Sequence, residues 1–129
     1  MVQRLFAVAL VVPDYDEAIS FYVGTLGFSL DQDEDLGGVK RWVRVSPPGA
    51  ACGSLLLARA VDASQRAAIG NQTGGRVGFF LETDDFERDY LALRDKGVAF
   101  EEAPRHEPYG SVAVWRDPFG NRWDLVQFT

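Results

Sequence analysis

Residues 7–27, AVALVVPDYDEAISFYVGTLG, and residues 77–97, VGFFLETDDFERDYLALRDKG, run through one order of chemistry twice: an apolar run, an acidic cluster, a helical pattern and a closing glycine. In the first copy the Val- and Leu-rich run reads as a β-strand that stops at Pro13, which has no amide hydrogen with which to extend a ladder. Asp14 then stands where a helix needs a cap, and Glu17, three residues on, completes a capping box. Tyr15, Ala18, Ile19, Tyr22 and Leu26 recur on one helical face, and Gly27 supplies the left-handed stop. The second copy repeats the logic, with Asp84 and Glu87 at the matching cap positions, Phe86, Tyr90 and Leu93 as the buried stripe and Gly97 as the stop.

Outward from these units, each helix is followed by three short segments with strand character: residues 28–33, 40–46 and 54–59, then 98–103, 111–116 and 122–128. Strong turn chemistry separates the last two in each set, Pro47, Pro48 and Gly49 in one and Asp117, Pro118, Phe119, Gly120 and Asn121 in the other. Residues 60–75 read as a linker with a short helical turn at 63–69 and a Gly-rich end. The expected fold is therefore α+β, a single domain over residues 1–129 built from two tandem βαβββ modules at 1–59 and 76–129. A four-stranded sheet with one helix leaves a face uncovered, so the two modules are expected to pair and to enclose a concave site in the cleft between them.

Composition narrows the function classes. Nineteen acidic residues against thirteen basic ones give a net charge of −6, which argues against nucleic acid as a partner, because phosphate binding is dominated by basic surface. The longest purely apolar run, residues 6–13, is far too short to cross a bilayer, and no signal pattern opens the chain, so no membrane partner and a cytoplasmic setting are expected. Cys52 has no second cysteine with which to form an internal disulfide, and a single histidine excludes any histidine-rich metal centre or multi-histidine relay.

The stretches VALVVPDYDEAISFYVGTLGF at 8–28, VGFFLETDDFERDYLALRDKGVAF at 77–100 and, above all, VAVWRDPFGNRWDLVQ at 112–127 resemble the vicinal oxygen chelate superfamily. That superfamily includes glyoxalase I, bleomycin-resistance proteins, fosfomycin-resistance enzymes and extradiol dioxygenases. The resemblance spans nearly the whole chain and implies a homodimer and a divalent metal held by inward side chains on the first and last strand of each module. Carried over, those positions fall on Ala7, Leu56, Gly78 (or Val77 one register earlier) and Asp124. Three of the four offer no ligand, and one carboxylate is not a site, since such ions need about three protein ligands. The expectation is thus a family member that binds a small organic molecule in the inter-module cleft without a cofactor or the usual metal. The alternative is a metal-dependent lyase or dioxygenase of glyoxalase type, and whether the chain is an enzyme stays open.

Strand alternation gives the inward-facing set: Ala7, Ala9, Val11, Ser54, Leu56, Ala58, Phe80, Glu82, Arg122, Asp124 and Val126. Glu82, Arg122 and Asp124 are candidates to bind a polar or cationic ligand group, against the plainer reading of an ion pair between Arg122 and a carboxylate at the rim. Trp42, beside Lys40 and Arg41, is a candidate aromatic platform, with simple packing as the alternative. Tyr109 is a candidate contact at the cleft mouth, and His106 is read as a loop residue with acid–base capacity. The candidate ligand set is therefore Trp42, Phe80, Glu82, Tyr109, Arg122 and Asp124, with no metal ligand and no catalytic residue assigned. Trp123, out of phase with Asp124, is expected in the core. Cys52 lacks a neighbouring acid–base partner, and the glycine pairs at 37–38 and 74–75 precede strands, so neither a nucleophile nor a phosphate loop is read.

Overall fold

The computed structural model describes residues 1–49 and 53–129, so Cys52 lies outside the described residues. The chain divides into two compact units, Met1–Ile69 and Gly70–Thr129.

In the first unit, β1 (Ala7–Val12) ends at Pro13 and α1 (Tyr15–Ile19) begins directly behind it. The Asp14 carboxylate accepts the amide hydrogen of Glu17 at 2.9 Å, as the cap reading requires. The helix then loosens into a π-helical turn, Ser20–Thr25, before Gly27 reverses the chain at φ 81°. β2 (Ser29–Asp35), β3 (Arg41–Ser46), β4 (Ser54–Arg59) and α2 (Ala63–Ala68) follow. The sheet order is β1-β4-β3-β2, with β1 parallel to β4 and the other pairs antiparallel. Leu10, Val12, Val43, Val45, Leu55 and Leu57 lie on one face and form a core with Ala18, Phe21 and Tyr22. Alternation turns Ala7, Ala9 and Val11 of β1, Trp42, Arg44 and Ser46 of β3, and Ser54, Leu56 and Ala58 of β4 to the opposite, open face.

The second unit holds β5 (Phe79–Glu82), α3 (Phe86–Asp95), β6 (Ala99–Phe100), β7 (Arg105–Glu107), β8 (Gly110–Arg116) and β9 (Arg122–Phe128). Its sheet runs β5-β9-β8-β6, again with the outer pair β5 and β9 parallel, and β7 also pairs with β8. Trp115 and Trp123 are buried and stacked at 5.0 Å, with Phe79 stacked on Trp123 at 4.9 Å. Phe86 and Leu93 of α3 are buried in the same unit.

Three local expectations change. The cap of α3 is Asp85, whose carboxylate accepts from the Arg88 amide, while Asp84 pairs with the Arg88 side chain at 2.9 Å. The segment expected as a strand over 98–103 pairs with β8 only at Ala99 and Phe100. His106 is in a strand rather than a loop, because Arg105–Glu107 finds edge partners in Val112, Ser111 and Gly110. The helical turn expected at 63–69 is present as α2, whose cap is the Asp62 carboxylate accepting from the Gln65 amide at 2.8 Å.

Candidate functional site

The open face of the first unit is organised by Arg44. A register shift between Leu30 and Gln32 brings Gln32 opposite Arg44, and the Gln32 side-chain oxygen accepts from both Trp42 Nε1 and Arg44 Nε at 2.9 Å. Arg44 Nη1 donates to Ser54 Oγ at 2.8 Å and to Asp31 at 3.2 Å, and its guanidinium lies 4.7 Å from the centre of the Phe6 ring. Ser46 donates to the same Asp31 oxygen at 2.6 Å. The indole of Trp42 is thus fixed by its ring nitrogen while its body stays half-buried.

Beside this lattice the sheet opens. β3 and β4 pair only from Val43/Leu57 to Val45/Leu55, yet β2 holds β3 as far as Arg41 and β1 holds β4 as far as Arg59. The two strands therefore part at this end. The Tyr15 hydroxyl fills the gap from the helix side, accepting the Arg41 amide hydrogen at 3.2 Å. What remains is a pocket of about 450 Å³ with Trp42, Leu56 and Ala58 on its open-face wall and Val39, Val61, Lys40, Arg59 and Gln65 around it. Val39 and Val61 are 68% and 65% exposed, an unusual degree for valines flanking a hollow. A neighbouring hollow of similar volume is lined by Asp14, Asp33, Asp35 and Arg59, the last shared with the first pocket, and there Arg41 is bound to Asp33 at 2.7 Å and to Asp16 at 2.8 Å.

On the face of the second unit that carries Asp124, the register places Phe80, Asp124 and Val114 in one row and Glu82, Val126 and Val112 in the next, with Val112, Val114 and Val126 buried. Phe80 is 66% exposed. One Asp124 carboxylate oxygen is shut off from solvent and has no hydrogen-bond partner. Burial pushes the Asp124 carboxyl above the ordinary aspartate range; Arg105 pulls it back, and Glu102 adds to the rise. Arg122 does not join this row. It is bound side-on to Glu101 at 2.8 and 3.0 Å and donates to the Gly75 carbonyl at 3.0 Å. The hydrogen bonds from Arg122 outweigh burial and, with Arg116, hold the Glu101 carboxyl below its usual range. Tyr109 is 53% exposed in the turn between β7 and β8, and His106 Nδ1 lies 3.0 Å from Ser111 Oγ.

The sequence candidates thus separate. Trp42 lines the pocket of the first unit; Phe80, Glu82 and Asp124 share one sheet face of the second; Arg122 is engaged by Glu101, and Tyr109 stands at a turn. Arg44 is not among the sequence candidates: alternation sets it on the Trp42 face, but its partners Asp31 and Gln32 depend on the irregularity in β2. The positions that carry a metal in the resembling family hold Ala7, Leu56, Gly78 and Asp124, a donor set with one carboxylate, and among the described residues no three His, Cys, Asp or Glu side chains converge. That chemistry does not fit a resident divalent ion.

The family model described as Glyoxalase/Bleomycin resistance protein/Dioxygenase superfamily matches residues 4–125. An uncharacterized protein of Shewanella frigidimarina (strain NCIMB 400) is 53% identical over 128 residues, covering 98% of this chain and 95% of that one. Among solved structures, UcmS2 superposes with a TM-score of 0.84 at 30% identity, over 98% of both chains. TnmS3, an antibiotic binding protein from Streptomyces sp. CB03234, superposes with a TM-score of 0.79 at 32% identity, over 99% of this chain and 98% of its own. The chain belongs to the glyoxalase/bleomycin resistance protein/dioxygenase superfamily.

Proposed function

We propose that this protein binds a small, flat organic molecule through the Trp42 pocket and the adjoining open sheet face, without a resident metal. The observation that carries this reading is the parting of β3 and β4 around an apolar hollow of about 450 Å³, a volume suited to a small ligand. The indole of Trp42 offers a large contact surface that loses little conformational freedom on binding, since Gln32 already orients it. The similarity to TnmS3, an antibiotic binding protein, supports ligand binding as the role of this branch of the fold.

The three tryptophans make the test local, because Trp115 and Trp123 are buried in the second unit. In a titration followed by the indole N–H signals in two-dimensional NMR, 2-naphthoate or its neutral isostere 2-naphthamide is expected to shift the Trp42 signal saturably. The other two indole signals should stay in place. At about 0.3 kcal/mol per heavy atom, ligands of this size bind at roughly millimolar strength. Binding is expected to persist in excess EDTA. A Trp42 signal that neither probe moves would overturn the pocket as the binding site, and loss of binding in EDTA would overturn the metal-free reading.

A further inference from the structure

Resting on the Trp42 pocket as the binding site, we infer that its ligand is an anion: a carboxylate or comparable oxyanion on a flat, apolar body, received by Lys40 and Arg59. The basis is a charge inventory. In a chain of net charge −6, acids outnumber bases, and among the described residues at least seven of the thirteen cations (Arg41, Arg44, Arg88, Arg94, Arg105, Arg116 and Arg122) are held in ion pairs. Lys40 and Arg59 make none among the described residues, although both line the one pocket with Trp42. Arg41, at the same pocket, is already committed to Asp16 and Asp33.

The carboxylates nearby leave Lys40 uncancelled, whereas Arg59, which alternates with Ala58, turns toward the helix-side face and also lines the neighbouring hollow with Asp14, Asp33 and Asp35. Asp33 and Asp35 pair with Val43 and Arg41 across the β2–β3 ladder, so they share the helix-side face, whereas Lys40 alternates with Arg41 and accompanies Trp42. The Asp14 and Asp35 carboxylates are further occupied by the amide hydrogens of Glu17 and Gly37. Glu34 stands opposite Trp42 on β2 but does not line the pocket. An apolar hollow with two cations at its wall that make no direct ion pair among the described residues, Lys40 the freer of the two, favours a ligand whose own charge completes the set, because a neutral ligand would gain only the apolar contacts.

The probe pair of the preceding section separates this inference from the binding reading. At low salt 2-naphthoate is expected to bind about tenfold more tightly than 2-naphthamide, with the advantage shrinking as salt screens the partly exposed cations. Lys40→Gln and Arg59→Gln should each reduce that ratio by roughly threefold, and the double variant should bring it near one. Arg59→Lys should retain most of the preference, which guards against a merely disturbed pocket. If 2-naphthamide binds as well as 2-naphthoate in the unaltered protein, or if the variants leave the ratio unchanged, the anion assignment is overturned while the pocket stands. If neither probe shifts Trp42, the pocket reading fails and takes the anion assignment with it.

Discussion

Asp124 is placed where its removal should strengthen the fold. Its row on the sheet is Phe80, Asp124, Val114, and one of its oxygens is buried without a hydrogen-bond partner. The matching row in the first unit sets Ala9 beside Leu56, so the chain uses leucine at the equivalent position. We expect Asp124→Leu to stabilise the protein at pH 7 by about 2 kcal/mol. Relief of an unsatisfied, partly exposed carboxylate contributes about 1 kcal/mol of this, and burial of roughly 40 Å² of added apolar surface at about 25 cal/mol/Å² the other. Asp124→Asn, which removes only the charge, should give about half the gain. The pH dependence follows from linkage. Because burial raises the folded-state pKa above the unfolded value of about 3.9, the acid form favours folding below that value, and the advantage is lost as pH rises through the folded pKa. The difference between variant and parent should therefore be smallest near pH 3.5, grow as Asp124 ionises and level off above its folded pKa. Urea unfolding at several pH values, compared at equal denaturant slopes, measures that difference directly. If both variants destabilise the protein at pH 7 by more than 1 kcal/mol, the carboxylate is making a favourable interaction and the reasoning is refuted.

Two further predictions concern the turn that sets β8 against β9. Asp117 is buried and accepts hydrogen bonds from the amides of Phe119 and Asn121 and from the Asn121 side chain at 2.7–2.9 Å, so Asp117→Ala should cost about 3–4 kcal/mol in chemical denaturation; a loss under 1 kcal/mol would show that water replaces the carboxylate freely. Gly70 and Gly74 share φ 69°, but a Cβ on Gly70 would lie 1.9 Å from the Phe119 carbonyl oxygen, whereas one on Gly74 would meet nothing within 4 Å. Gly74→Ala should cost about 1 kcal/mol, the left-handed penalty alone, and Gly70→Ala at least 2 kcal/mol more; equal melting-temperature losses would contradict the close approach.

What could be read in the sequence was what local chemistry decides. The Asp14 cap, the stop at Pro13, the Asp117–Asn121 turn and the burial of Trp123 each follow from neighbours a few residues away, and alternation sorted the two faces of β1, β4 and β9. The cap of α3 fell one residue from its expected place because Asp84 and Asp85 are chemically equivalent candidates, and only the helix entry angle chooses between them. The strand character of His106 could not be read from RHEPYG, since it depends on an edge of β8 being free to receive it. Arg122 shows the same limit: alternation put it on the open face, but its partner Glu101 lies 21 residues away on a segment whose path is set by the tertiary fold. The pocket was invisible for a related reason, because no residue pattern announces that β3 and β4 stop pairing at Val43 and Leu57.

The contrast between matched rows bears on the chemistry. A divalent-metal site concentrates carboxylates or imidazoles so that the ion's charge is shared, and the field of the ion lowers the pKa of each ligand. Asp124 is in the opposite situation: its neighbours in the row are Phe80 and Val114, its companion positions are Ala7, Leu56 and Gly78, and burial raises its pKa. The polar capacity of the open faces has instead gathered in the first unit, where Arg44 ties Gln32, Asp31 and Ser54 into one lattice and thereby holds Trp42 at the edge of the pocket. That lattice contains no unengaged base and no activated nucleophile, while the pocket beside it combines apolar walls with Lys40 and Arg59, neither held in a direct ion pair among the described residues. On the proposed reading such an arrangement would orient and retain a ligand with selectivity set by charge and shape, which is why the anion preference, rather than turnover, is the property by which this site should first be judged.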